Sequence, residues 1–455
     1  TTGEIGMRWP ISRDVNFNVA VFRTDSPIKA LIRQSETEAE LKSKAETKGE
    51  KATIEIVALM FQSILAEDRI PPGVRVWFAR RTPSQFDDAA AQMRILPQHL
   101  LDSIPRASWR TSAFARQPIG SGRFRFVSWQ AGTRIEVVAD SANYRGRPKL
   151  DRVVWTIAPD PAAATMRFMA GDADFIESVR PDAAPEFAGK STVRLLRSPS
   201  LIYGYVQFNL LAPKSNTAAH PLFGAREMRR ALSMAVDRSR VVQSVFDSLA
   251  RVALGPVTRI QLGVDTLLPT LAFDTVSAAR ALDALGWRAA TAGGIRARNG
   301  VPLAFTMLVP STSTQRVRIA TIMQPMLRAV GVDMRIEQLE FNTFMSRLAA
   351  GDFDAAVMAM GADVQLSGIR GVWSTSAGRQ QGGPNFGSYA SVAFDEQVDR
   401  AAKTPDAAAS RAAFAKAYTT ILDDAPAIWL YEPYALSGIS TAITPVGIRP
   451  DGWWM

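Results

Sequence analysis

The chain has 455 residues, 47% of them hydrophobic and 21% charged, with a net charge of +10 and no cysteine. That is enough apolar mass for a large core and for two or three domains, and the balance excludes a disordered chain. The missing cysteines exclude disulfides, thiol catalysis, iron–sulfur clusters and thiolate zinc sites. The positive charge comes mostly from scattered arginines, among them Arg116, Arg123, Arg125, Arg134, Arg145, Arg147 and Arg152. No Lys/Arg block accompanies a recognition motif, which argues against a nucleic-acid binder. An Arg-rich surface does suit contact with an anionic membrane face.

In chain order, the start "TTGEIGMRWPISRDVNF" has no charged region followed by an apolar one. A signal peptide is therefore expected to be absent or already removed. No apolar run reaches the roughly 20 residues that span a bilayer. "RQSETEAELKSKAETKGEKA" reads as a solvated helix or a loop, "ATIEIVALMFQSIL" as mixed, and "VRVWFARR" as a strand alternating Val74, Val76 and Phe78. A short helix follows Pro97. From residue 119, two alternating runs (Phe124, Phe126; Ile135, Val137) separated by "QAGT" predict a hairpin. A strand through Val153–Trp155, a helix ended by Gly171 and a short strand at Phe175 and Ile176 come next.

"IYGYVQFNL" reads as a strand. The spacing of Met228, Ala231, Leu232, Ala235, Val242, Val245 and Phe246 predicts one long helix. A helix closed by Gly286 precedes a β-α-β unit made of "PLAFTMLVPS", "QRVRIATIMQPMLRAVG" and "VDMRIEQLE", with Gly331 as the helix C-cap. "GDFDAAVMAMGADVQLSG" is a greasy strand that runs into Asp363, and a helix spans "DEQVDRAAKTPDAAASRAAFAKAYTTILDDA". Strands alternating with helices predict mixed α/β lobes. There is no internal repeat.

Catalytic chemistry is hard to assemble from this chain. Its two histidines, His99 and His220, have no second ligand at metal spacing and no triad partner. "GSG" at 120–122 lacks the P-loop lysine and the dinucleotide spacing, and reads as a hairpin entry. Asp172/Asp174 and Asp423/Asp424 are sequence neighbours better suited to turns and caps than to a glycosidase pair. No metal site and no cofactor are expected. The balance favours a binder over a hydrolase of a small polar substrate, or over an Arg-rich membrane or nucleic-acid adaptor.

Several segments, taken in order, carry a family resemblance. "ILPQHLLDSIP" and "PIGSGRFRFVSWQAGTRIEVVADSANYRGRPKLDRVVW" are followed by "MRFMAGDADF", by "YVQFNL" with "PLFGAREMRRALSMAVDRSRVVQSVF", and by "DTVSAARALDALGW". "FDAAVMAMGADV" and "VWSTSAGRQQGGPNFGSYASVAFDEQVDRA" complete the series. Over residues 91 to 435 the chain resembles the extracytoplasmic solute-binding proteins of ABC importers, in the dipeptide/oligopeptide/nickel-binding group (family 5). The Arg-x-Ala-(x)3-Ala-x-Asp-Arg helix is the most diagnostic piece. Three departures stand out: no "Phe-His-Asp-Gly" motif within residues 1–90, "GSGRF" in the usual Gly-Thr-Gly-Pro-Tyr turn, and no Asp-Pro after Asp363.

The resemblance implies a mixed α/β, periplasmic-binding-protein-like fold, with two α/β lobes around a cleft and a smaller extra lobe. Residues 1–118 would form the N-terminal region or extra lobe, 119–212 with 432–455 lobe I, and 213–431 lobe II. It implies a periplasmic or otherwise extracytoplasmic monomer that closes on a small solute, most commonly a peptide, and delivers it to a permease in the inner membrane. No nucleic acid is involved.

In peptide-binding members the acid matching Asp363 pairs with the peptide's α-amino group. On residues alone, Asp363 is a ligand anchor, a helix cap or a core ion-pair partner. Trp373 either stacks on a ligand or packs. Arg370 either pairs with a ligand carboxylate or is an ordinary surface arginine. Asn385 lies in the expected cleft loop. Tyr203, Tyr205 and Asn209 lie on the strand entering the second lobe, with Asn209 suited to clamping backbone. Asp237 and Arg238 are read as scaffold.

Overall fold

The computed structural model describes residues 8–12, 15–18 and 98–444, apart from 159, 262 and 405. The segments "RQSETEAELKSKAETKGEKA", "ATIEIVALMFQSIL" and "VRVWFARR" lie outside the described residues. The described residues divide into two compact units, one of 8–12, 15–18, 98–194 and 438–442 and one of 195–437 with 443–444.

In the smaller unit the expected short helix after Pro97 is Gln98–Leu101. The expected hairpin pairs β1 (Phe124–Gln130) with β2 (Arg134–Ala139), and β3 (Arg152–Thr156) completes an antiparallel sheet of order β1-β2-β3. The helix α1 (Pro161–Met169) starts where Asp160 accepts a hydrogen bond from the Ala163 N–H at 2.7 Å, with Pro161 supplying a pre-set first turn. Gly171, at φ +87°, ends it in the left-handed region. The short strand β4 (Phe175–Ile176) follows, and Phe168 stacks on Phe187 at 5.8 Å.

β5 (Val193–Pro199) carries the chain into the larger unit, whose elements continue with β6 (Ile202–Phe208), α2 (Arg226–Met234), α3 (Arg238–Phe246), β7 (Ala250–Val252) and α4 (Thr275–Ala284). Then come β8 (Ala304–Pro310), α5 (Thr314–Ala329), β9 (Asp333–Leu339), α6 (Phe341–Ala350), β10 (Ala355–Gly361) and the short α7 (Ile369–Trp373). α8 (Val392–Lys403), α9 (Ala407–Asp424) and β11 (Ala427–Ser440) complete it. The strands run in the order β9-β8-β10-β6-β11, with β7 also on β11. β9, β8 and β10 are mutually parallel, whereas β6 runs antiparallel to both β10 and β11.

Helices cover both faces of this sheet, so its strands are apolar on both sides and the period-2 alternation sorts them into two cores. Val206, Phe208, Phe305, Met307, Val309 and Val357 pack with α2, α3, α4 and α5. Tyr203, Tyr205, Leu308, Met358 and Trp429 pack on the other face with α6, α7, α8 and α9. Gly204 is required in the middle of β6, because a Cβ there would enter the Tyr431 ring.

Three expectations change. The helix predicted over 226–246 is two helices, because Asp237 takes an extended conformation and its Oδ1 accepts the Arg240 N–H at 3.0 Å, capping α3. That cap is a scaffold role for Asp237. The last predicted helix also divides, at the Asp406 cap of α9. The expected lobe limits at 212/213 and 431/432 move to 194/195 and 437/438. The physical reason is that β6 pairs with β10 and β11 in the larger sheet rather than with the hairpin. Residues Gly438 and Ile439 at the end of β11 pair instead with β4 in the smaller unit.

Candidate functional site

All the residues singled out from sequence fall in the larger unit, but only two of them face an open hollow. β10 is buried from Ala355 to Met358 and emerges at Gly361, so the chain after it leaves the sheet at the protein surface. Asp363 stands there, exposed. Its carboxyl group lies over Gly368, where a Cβ would collide with it. Asp363, Ser367, Arg370, Gly371, Ser376 and Gly383 line a hollow. Among the described residues no basic side chain reaches Asp363 at ion-pair distance. Arg370 is committed: its Nε donates to Asp399 Oδ1 at 2.8 Å, and Lys403 approaches the other oxygen of Asp399 at 3.5 Å. The hollow thus has one carboxylate with no cationic partner among the described residues, one guanidinium paired with an aspartate that Lys403 shares, and Gly371, where a side chain would meet nothing within 4 Å.

The remaining candidates are buried and do not line the hollow. Trp373 is 1% exposed, and its indole N–H donates to the Tyr203 hydroxyl at 2.9 Å. Edge contacts to Tyr205 at 5.4 Å and Trp429 at 5.0 Å occupy it further. The structure therefore replaces its proposed stacking role with packing. Tyr203 and Tyr205 belong to the same buried aromatic cluster, and burial pushes both phenols well above their ordinary pKa. They are core residues rather than ligand contacts.

Asn385 is buried and folds its own loop, donating to Ser374 O at 3.2 Å and Tyr389 O at 2.8 Å while accepting the Tyr389 N–H at 3.0 Å. Asn209 is the backbone clamp, donating to Gly351 O at 3.1 Å and Phe353 O at 2.9 Å. Neither amide has a side-chain group left to face a solute.

Three polar residues that sequence left unassigned organise the region. Arg379, buried, donates through Nη1 to Asn209 Oδ1 at 3.1 Å and Phe386 O at 2.8 Å, and through Nη2 to Ser215 O at 2.8 Å. Burial lowers its pKa. His220 accepts the Leu222 and Phe223 N–H groups at its Nδ1 (3.1 and 3.0 Å), so its Nε2–H donates to Asp354 Oδ1 at 3.2 Å. Both ring nitrogens are used, which fits a structural clamp better than a metal ligand or catalytic base. Gln261 donates to the carbonyls of Asp363 and Gln365. Each of the three also has a partner more than 100 residues away, which no local motif signals.

Residues 74–380 match the family model described as bacterial extracellular solute-binding proteins, family 5 middle. The chain is 26% identical over 363 residues to the oligopeptide-binding protein AppA of Bacillus subtilis, covering 76% of this chain and 63% of that one. It thus spans about three fifths of the length of that relative. The structure of AppA in complex with a nonapeptide superposes with a TM-score of 0.67 at 23% identity, over 85% of this chain and 75% of that one. NikZ from Campylobacter jejuni in complex with Ni(L-His) gives 0.69 at 22% identity, over 84% and 74%. Among the described residues no helix is long and apolar enough to cross a membrane. The order of motifs, the two-faced sheet and the family match converge: the chain belongs to family 5 of the bacterial extracellular solute-binding proteins.

Proposed function

We propose that the chain is the substrate-binding receptor of an ABC importer, which captures a small solute bearing a free ammonium group, a peptide first of all, and passes it unchanged to a membrane permease. The observation that carries this reading is Asp363. It is an exposed carboxylate with no cationic partner among the described residues, set in a hollow whose lining arginine is paired with Asp399. Such a surface favours a cation, and Gly371, where a side chain would meet nothing within 4 Å, leaves space for what the cation is attached to. The names of relatives support the peptide class, since AppA of Bacillus subtilis is an oligopeptide-binding protein.

An ammonium–carboxylate hydrogen bond shielded from water contributes on the order of 2 kcal/mol, or about 30-fold in affinity. Native mass spectrometry of the purified protein should reveal a co-purifying amine-bearing solute. Calorimetry with unmodified and N-acetylated tripeptides should then show Asp363→Asn losing about 30-fold on the unmodified set only. Equal affinity of the Asn variant and the wild type for the free-amine peptides would overturn the proposal.

A further inference from the structure

Asp363 presents its carboxylate from an irregular turn, and something must hold that turn. The backbone carbonyls of Asp363 and Gln365 both point to one side-chain nitrogen. Gln261 Nε2 donates to Asp363 O at 2.7 Å and to Gln365 O at 3.3 Å. The other end of the same carboxamide is fixed as well, because Gln261 Oε1 accepts the Thr258 N–H at 2.9 Å and the Gln261 N–H donates to Thr258 O at 3.1 Å. Gln261 is 4% exposed and Thr258 is fully buried, so water does not compete for these groups.

The turn 258–261 is in turn anchored to the central sheet. The Arg259 N–H donates to Glu432 Oε1 at 2.9 Å, and its Nη1 donates to Glu432 Oε2 at 2.5 Å. Glu432 lies on β11 and is buried. A continuous set of contacts therefore runs from β11 through Glu432, Arg259 and Gln261 to the backbone on both sides of Val364. The Asp363 side chain, starting from that fixed backbone, is confined further by Gly368 beneath its carboxyl group.

We propose that Gln261 is a positioning residue of the solute site: its carboxamide fixes the Asp363–Gln365 turn and so sets where the Asp363 carboxylate meets the solute's ammonium group. The proposal rests on the function given above. It also says why a carboxamide stands at this position. Only Asn and Gln combine an acceptor and two donors on one planar group, and Gln has the reach. A glutamate of the same size is acceptor-only when ionised, and would set a charge against two carbonyl oxygens. A methionine of similar length would leave both carbonyls without a donor.

The test compares Gln261→Glu, Gln261→Met and Asp363→Asn with the wild type, using unmodified tripeptides, their N-acetylated forms and thermal melting. Gln261→Glu is expected to weaken the free-amine peptides about tenfold while leaving the N-acetylated ones within about twofold. Its preference for the free amine then falls towards that of Asp363→Asn, and Gln261→Met lies between. Should the glutamate variant fail to fold, the methionine variant carries the same comparison. If both Gln261 variants keep the wild-type preference while Asp363→Asn abolishes it, the positioning role is wrong and the function stands. Equal weakening of both peptide forms, in step with a lower melting temperature, would show a merely structural glutamine and also overturn the inference. If Asp363→Asn leaves the preference unchanged, or the wild type has none, both proposals fall together.

Discussion

Replacing Arg229 by Met should cost about 3–5 kcal/mol of stability without altering solute affinity of the folded protein. Arg229 is the first residue of the Arg-x-Ala motif on α2 and is 5% exposed. Its guanidinium serves four carbonyls. Nη1 donates to Phe223 O at 2.8 Å and Gly224 O at 3.2 Å, Nε to Asp424 O and Ala425 O at 3.1 Å each, and Nη2 to Asp424 O at 2.6 Å. Asp424 and Ala425 form the C-terminal end of α9, where unsatisfied carbonyls and the negative end of the helix dipole both favour a cation.

Burial lowers the Arg229 pKa to about 10, so the group is still charged at neutral pH. Methionine keeps most of the aliphatic stem and removes every donor. Each charged hydrogen bond is worth about 1.5–3 kcal/mol, but the four carbonyls share one cation and some reach water once it is gone. The sum therefore saturates at about 3–5 kcal/mol, the range for removing one member of a buried charged network. Arg229→Lys, with three donors on a point charge, should recover about half. Urea unfolding at pH 7 measures both variants. A loss below about 1 kcal/mol for the Met variant, at unchanged m-value, would refute the argument.

Two further outcomes follow from the buried polar groups. Burial works to raise the Asp354 pKa, but the hydrogen bonds from His220 and from the Thr306 N–H outweigh it, and the result lies below the ordinary carboxylate value. Its stabilisation is thus complete above about pH 4 and is lost as pH falls through the lowered value. The stability deficit of Asp354→Asn, read from denaturation curves at stepped pH, should accordingly shrink below about pH 4; a deficit independent of pH would contradict it. Tyr205 is fully buried among aromatic rings, and its hydroxyl has no partner among the described residues. Tyr205→Phe should be neutral or stabilise by up to about 1 kcal/mol, and a loss of more than 1 kcal/mol would show that the hydroxyl is bonded.

Legibility from sequence followed the range of the interactions. The β8-α5-β9 unit was readable because its strands are bounded runs and Gly331 sits in the left-handed region at φ +81°. β11 was not. Its 14 residues are largely buried on both faces and contain Pro433, so alternation does not mark them as a strand. α2 and α3 read as one helix because apolar spacing continues across the break, while the signal for the break is a single capping aspartate. The same limit governs the site. Asp363 was placed at a strand mouth because that depends only on where β10 stops being buried. Trp373, Tyr203 and Tyr205 are residue types as suitable for a core as for a ligand wall. Their choice was made by whether helices cover that face of β6.

That distinction bears on how solute preference is determined in this chain. The irregular segments of the larger unit are held by buried polar side chains from distant parts of the chain. Gln261 holds the Asp363 turn across 102 residues, Arg379 ties the 379–388 loop to Asn209 across 170, and Asn209 reaches Phe353 across 144. Each link is a buried amide or guanidinium bonded to partners on a segment without regular structure, where no ladder would otherwise fix the chain. Gln261, which bonds the backbone of Asp363, is not itself among the residues lining the hollow. On the proposed function, solute preference is expected to depend on Gln261, which holds the Asp363 turn, as well as on Asp363 itself.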